Sequence, residues 1–180
     1  MRGYSRMGAV GALVLAAACV QAEPERLEAA AELINTDGDL IGTAQLTQGP
    51  NGVLVNLDLE GLSAGDRFHA IHIHRVGDCS DPGEGFQASG GHLNPGGAAH
   101  GLLNPEGPDA GDFPNIYADG EGNVRAELFT TLASLDGAIG AEMLDEDGAA
   151  LVIHESPDDH ESQPIGGAGA RIACGVIEPR

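Results

Sequence analysis

The chain has 180 residues and a formal net charge of -20, because 28 acidic residues face 8 basic ones, all arginine. That balance excludes nucleic acid and anionic membrane surfaces as partners, since both need basic patches. Once an export leader is set aside, about 150 residues remain, enough for one core and one domain.

Arg2 and Arg6 precede an apolar run from Met7 that is too short to span a bilayer, followed by Val20, Gln21 and Ala22. This is the pattern of a secretory signal peptide over 1–22, with cleavage after Ala22 and no transmembrane segment. A second route stays open, lipidation at Cys19, because Leu15 to Cys19 loosely resembles a lipobox and would leave a lipid anchor there. Residues 23–30 then read as a short acidic linker, and 31–180 as the folded domain.

Alternating apolar residues mark strands at 40–46 and 53–59, with turn signals at 36–38 and 50–52. Phe68, Ala70, Ile71, Ile73 and Val76 favour another strand, and its side chains alternate faces, so His72 and His74 project from one side within reach of one ion. From Ser89 to Asp112 the periodicity vanishes and Gly, Pro and Asn dominate around His92 and His100, so a long loop is expected to fold around something. Residues 124–129 add a strand, and 130–148 is irregular. The apolar run at 149–153 ends in His154, which puts a further imidazole at the end of a buried strand. The expected core is Val, Leu, Ile and Ala, in an all-β domain. His69 is expected to bond nearby backbone, and His160 to be a solvated loop residue.

Taken singly, each histidine reads as a core or rim residue. Together, His72, His74, His92, His100 and His154 with Asp112 have the composition of a two-metal site, because imidazole suits copper and zinc and carboxylate suits zinc. The segments 68–74, 77–79, 91–95, 100–101, 111–112, 152–155 with Asp158 and Asp159, and 169–175, in that order, resemble the copper-zinc superoxide dismutases of the bacterial periplasmic type over roughly residues 31–178.

The resemblance implies a Greek-key β-sandwich or flattened barrel with long metal-binding and electrostatic loops, in which His72, His74, His92 and His154 hold copper. It implies zinc on His92, His100, Asp112 and position 109, where the family usually has histidine and this chain has Asp109. Carboxylate oxygen is an acceptable zinc donor, so Asp109 is expected to ligate; the alternative is an outward Asp109 and a weakened zinc site. The resemblance further implies that Asp158 links a copper histidine to a zinc histidine, that Arg171 attracts superoxide, and that His92 carries a proton as copper alternates between Cu(II) and Cu(I). Superoxide would become dioxygen and hydrogen peroxide, as antioxidant defence in the cell envelope. Without Cys19, two cysteines remain, and in an oxidising compartment they favour one bond; the family pattern pairs Cys79 with Cys174, against two buried free thiols.

Arg171 is the only basic residue between Arg125 and Arg180, and the segment from Asp158 to Gly169 offers acids alone, so steering of the anion should be weak and the rate flat or rising with salt. Two other readings compete: a periplasmic copper or zinc reservoir without turnover, and an adhesion or assembly sandwich. The complete copper set with Arg171 favours the enzyme. Monomer and homodimer stay equally open.

Overall fold

The structure is a computed structural model that describes residues 26–63 and 65–180. The leader and the two processing sites, Cys19 and Ala22, lie outside the described residues. Among the described residues twelve strands form: β1 Glu28–Asn35, β2 Leu40–Gly49, β3 Gly52–Leu59, β4 Arg67–His69, β5 Ile71–His74, β6 Ile116–Ala118, β7 Val124–Thr130, β8 Ala133–Ser134, β9 Ala141–Glu142, β10 Ala150–His154, β11 Arg171–Val176 and β12 Glu178–Pro179. β1 begins at Glu28, so the strand takes in the last three residues expected as linker. Among the described residues no helix is long and apolar enough to cross a membrane.

The main sheet runs β5-β10-β11-β1-β2-β3-β7, with β12 paired to β1. The connection after β3 carries the chain across to β5 at one end of this sheet and then returns it, so that β7 lies beside β3 at the other. This is the Greek-key arrangement in a curled sheet. Alternation explains the core. Val53, Val55, Leu57 and Leu59 are buried on β3 while Leu54, Asn56 and Asp58 face out, and Ala29, Ala31 and Leu33 do the same on β1. Each large aliphatic side chain so buried contributes about 1.5–3 kcal/mol. Val, Leu, Ile and Ala dominate this core as expected, joined by Phe113 and Met143.

Two details depart from the sequence reading. The expected strand through 68–74 is two strands, because at Ala70 the backbone leaves its neighbour to bond Ser156 and His154. The irregular stretch after Thr130 contains the short parallel pair β8 and β9, and it buries Leu135 and Met143 completely.

β10 is buried along its whole length because both of its faces are covered. Leu151 and Ile153 enter the main core, while Ala150 and Val152 pack with Phe86 and the disulfide cysteines beneath the long loop. On β5, Ile71 and Ile73 likewise join the main core. His72 and His74 therefore point out of the sheet, into the space that the loop closes.

Candidate metal centre

β5 is the end strand of the sheet, and its free edge is taken up by the loop. Isolated bridges pair His72 with Asp112 and His74 with His92, and the Ile73 N–H donates to the Gly111 carbonyl while the Ile73 carbonyl accepts from Leu93. Pairing of this kind both protects a strand edge and fixes side-chain register. A Cβ at position 111 would collide with the Ile73 carbonyl, so glycine there lets the loop lie this close. At the far end of β10 a register shift between Ile153 and His154 sets His154 opposite Arg171 on β11. The expected metal-facing residues thus arrive from an end strand, its neighbour and one loop, while Asp158 comes from the loop after β10 and Arg171 from β11.

Hydrogen bonds fix each ring. His74 Nδ1–H donates to the Gly90 carbonyl at 2.9 Å and His154 Nδ1–H to the Gly169 carbonyl at 3.1 Å, while His72 Nε2–H donates to Asp158 Oδ2 at 2.9 Å. With those protons placed, the lone pairs sit on His74 Nε2, His154 Nε2 and His72 Nδ1, and these three atoms are buried without a partner, as is His92 Nε2. Leaving buried polar atoms unpaired costs about 1–3 kcal/mol each. Here the atoms converge: His72, His74, His92 and His154 offer ligand atoms all within 4.8 Å of one another. Burial lowers the pKa of His74 to about 2 and that of His154 to about 3, with Arg171 and neighbouring imidazoles adding to the effect, so both rings are neutral donors. Burial lowers His72 as well, against the pull of Asp158. Four imidazole nitrogens facing one point suit copper.

Next to this set lies a second. His92 Nδ1 is 2.9 Å from Asp109 Oδ2 and 3.7 Å from Asp112 Oδ1, and His100 Nδ1 is 3.9 Å and 2.6 Å from the same two oxygens. These separations scatter about the edge of roughly 3.3 Å that four donors would make around a tetrahedral ion with bonds of about 2.0 Å. The remaining carboxylate oxygens are occupied by backbone: Asp109 Oδ1 accepts from Gly111, and Asp112 Oδ2 from Gly101 and Asp109. His72 lies within range of His92, His100 and Asp112 too, but its Nε2 is committed to Asp158 and its free Nδ1 belongs with the four imidazoles. Asp109 is buried beside these groups, with Oδ2 2.9 Å from His92 Nδ1 and 3.9 Å from His100 Nδ1, so it stands as a further candidate donor. The residues present fit two adjacent cations sharing the His92 ring.

Asp158 joins the halves. Its Oδ2 accepts from His72 Nε2, and its Oδ1 lies 3.1 Å from His100 Nε2. Those contacts, helped by the His160 backbone N–H, hold its carboxyl well below the usual carboxylate range in spite of burial. Burial is also the largest influence on His100, and it acts downward, but Asp112 and Asp158 on its two ring nitrogens outweigh it and raise the pKa to about 10.

Arg171 donates through Nη1 to the Phe86 carbonyl at 2.6 Å and to Ser89 Oγ at 3.2 Å, and through Nη2 to the Gly90 carbonyl at 2.7 Å. Gly90 O therefore receives both His74 and Arg171. The anchoring loop is tied to β11 by the Cys79–Cys174 disulfide, which the pairing by resemblance anticipated. His69 Nδ1–H donates to the His154 carbonyl at 2.7 Å, the backbone bond expected of it. His160 is a partly exposed loop residue, 18% exposed, and it is also tied to the site: its backbone N–H donates to Asp158 Oδ1, and its ring lies within 3.5 Å of Asp158 and 3.2 Å of Asn115.

Three supporting residues escaped the sequence reading. Asn115 makes two bonds to the Asp158 backbone, Gln163 brackets the backbone of His100, and Ser89 supports both His74 and Arg171. A cleft of about 770 Å³ reaches His92, His100 and Asp109 from solvent, with Arg171 on its wall.

Comparison with known proteins agrees with this geometry. Residues 40–177 match the family described as copper/zinc superoxide dismutase (SODC). The chain is 50% identical over 151 residues to the copper-zinc superoxide dismutase 2 of Aquifex aeolicus, covering 84% of this chain and 86% of that one. It is 49% identical over 144 residues to the copper-zinc superoxide dismutase of Caulobacter vibrioides, covering 79% and 80% respectively. Its fold superposes on the Cu/Zn superoxide dismutase from Brucella abortus with a TM-score of 0.64 at 26% identity, over 84% of this chain and 99% of that one.

Proposed function

The chain belongs to the copper/zinc superoxide dismutase family, and from that premise we propose how its own residues divide the work. It is an enzyme that turns two superoxide ions and two protons into dioxygen and hydrogen peroxide, with copper and zinc as its metals. When bound, copper supplies a one-electron couple and zinc, which has no redox chemistry, supplies fixed positive charge.

In our assignment His72, His74, His92 and His154 would hold copper, and His92, His100, Asp109 and Asp112 would hold zinc. The observation that carries this is the set of buried lone-pair atoms with no protein partner, each on a ring whose other nitrogen is tethered or shared. Asp158 orients His72 and His100 from outside the donor sets, the usual task of such a partner. His92 Nε2 is the atom assigned to carry a proton. The other three copper imidazoles are tied through their second nitrogen to Asp158, Gly90 or Gly169, whereas His92 lines the solvent cleft. Arg171, locked to three acceptors, presents a fixed cation beside His74 to the incoming anion.

We also place the enzyme outside the cytoplasm, in the periplasm. The leader-like start and the Cys79–Cys174 bond support this, because such bonds persist in oxidising compartments. The mass of the mature N terminus separates cleavage after Ala22 from lipidation at Cys19.

The assignment is tested at its least ordinary position. Wild type should bind a full equivalent of zinc and Asp109→Ala clearly less, read by metal analysis after dialysis against a weak chelator. Equal, full occupancy in both would remove Asp109 from the zinc set.

A further inference from the structure

Arg171 is not the only cation on the wall of the cleft. Arg75 lines it as well, one residue beyond His74, at the point where β5 ends. Its backbone N–H donates to the Gly91 carbonyl at 2.9 Å, which fixes its Cα next to the segment carrying His92. Its stem lies over Gly90. A Cβ added there would come within 3.2 Å of Arg75 Nε and 3.3 Å of its Cγ, and Gly90 has a φ of 73°. Glycine at 90 thus opens the slot for Arg75 with its missing side chain and holds Arg171 with its carbonyl, so that the two arginines flank one residue.

Their guanidinium groups are in different circumstances. Arg171 is half-buried and spends its donors on Phe86, Ser89 and Gly90. Arg75 is exposed and, among the described residues, makes no side-chain hydrogen bond and no ion pair, although Asp145 and Asp147 line the same cleft. An unpaired arginine in the mouth of a cleft, on a chain of net charge -20, is a local reversal of the surrounding field.

We propose that Arg75 is a second anion-attracting residue of the enzyme, an exposed outer cation that delivers small univalent anions to the fixed Arg171. The proposal rests on the family assignment for the identity of the physiological anion, and on geometry alone for the site. It also supplies a reason for the weak salt dependence expected from the sequence. Added salt screens the overall repulsion, which raises the rate, and screens the local attraction of Arg75 and Arg171, which lowers it; the two nearly cancel. Arg75 is a positioning residue, since it touches no metal-facing atom.

The test compares Arg75→Lys, Arg75→Ala and Arg75→Glu with wild type, all metal-loaded and matched for copper and zinc content. At low ionic strength the second-order dismutation rate should fall about threefold in Arg75→Ala and about tenfold in Arg75→Glu, and stay within about twofold in Arg75→Lys. The sign of the salt response is the sharper readout: the rates of Arg75→Ala and Arg75→Glu should climb toward wild type as salt is added. The dissociation constant of azide, titrated spectroscopically, should weaken in the same order. Arg75→Ala and Arg75→Glu with wild-type salt response and wild-type azide affinity would overturn the proposal. The azide titration reads Arg75 even in a chain without turnover, so failure of the dismutase assignment and failure of this proposal give different results.

Discussion

The strand side and the loop side of the metal centre use the same side chain in opposite ways. On the strand side His72, His74 and His154 stand on β5 and β10, are almost wholly buried, and have their pKa values depressed, to about 2 for His74 and about 3 for His154. On the loop side His100 is pinned between Asp112 and Asp158 and is raised to about 10. One side offers neutral lone pairs; on the other, acids close around His100, with Asp112 Oδ1 2.6 Å from its Nδ1 and Asp158 Oδ1 3.1 Å from its Nε2. Burial alone predicts depression everywhere. The difference comes from carboxylates, and on our assignment their placement separates a pocket for a metal that exchanges electrons from one for a metal that holds charge.

The contrast can be broken most severely at His154. His154→Ala removes one imidazole from the strand side and should reduce dismutation to the uncatalysed background, with a copper EPR spectrum showing fewer nitrogen donors. The bond from His69 to the backbone carbonyl at 154 survives in the variant, so the strand should keep its place. Full activity with an unchanged spectrum would remove His154 from the copper set.

A gentler variant acts on the link between the sides. Asp158→Asn keeps the shape but removes the charge that orients His72 and His100, and loss of such a partner costs about 10–100-fold in metal affinity. Zinc should be the more weakened ion, because His100 depends on Asp158 and Asp112 together while His72 has the strand to hold it. Competition against a chromogenic chelator measures both. Copper weakening more than zinc would mean that Asp158 serves the strand side first.

The same division decided what could be read from the sequence. His72 and His74 share a face by simple alternation, and His154 ends an apolar run, so the strand histidines announced their positions through local periodicity. The loop has none; its Gly, Pro and Asn content marked it as functional without saying which acids mattered. Asp112 could be grouped with the histidines from the loop itself, but Asp158 stands among Glu155, Asp159 and Glu161, and Asp109 in a chain with 28 acids, so only the family resemblance singled those two out. Asn115 and Gln163 carried no signal at all, since their value lies in backbone groups 43 and 63 residues away along the chain. The strand break at Ala70 was hidden for a like reason: it is caused by Ser156 and His154, which lie far along the chain. The tie of His160 to Asp158 was not legible, because nothing local shows that its backbone N–H would close on that carboxylate.

The smallest effect expected is a difference in protons. In the metal-free protein His100, raised to about 10, holds a proton at pH 7, and an ion taking His100 Nδ1 must displace it. Zinc affinity should therefore rise with pH, by about tenfold per unit, until pH approaches 10 and the proton is already gone. On the strand side His74 and His154, at about 2 and about 3, have no proton to give at any pH above 4, so their share of copper binding should not change between pH 5 and 8. Calorimetry in two buffers of different ionisation heat counts the protons directly. About one more proton should leave with zinc than with copper, and equal release from the two ions would mean that the acids around His100 do not set its charge before the metal arrives.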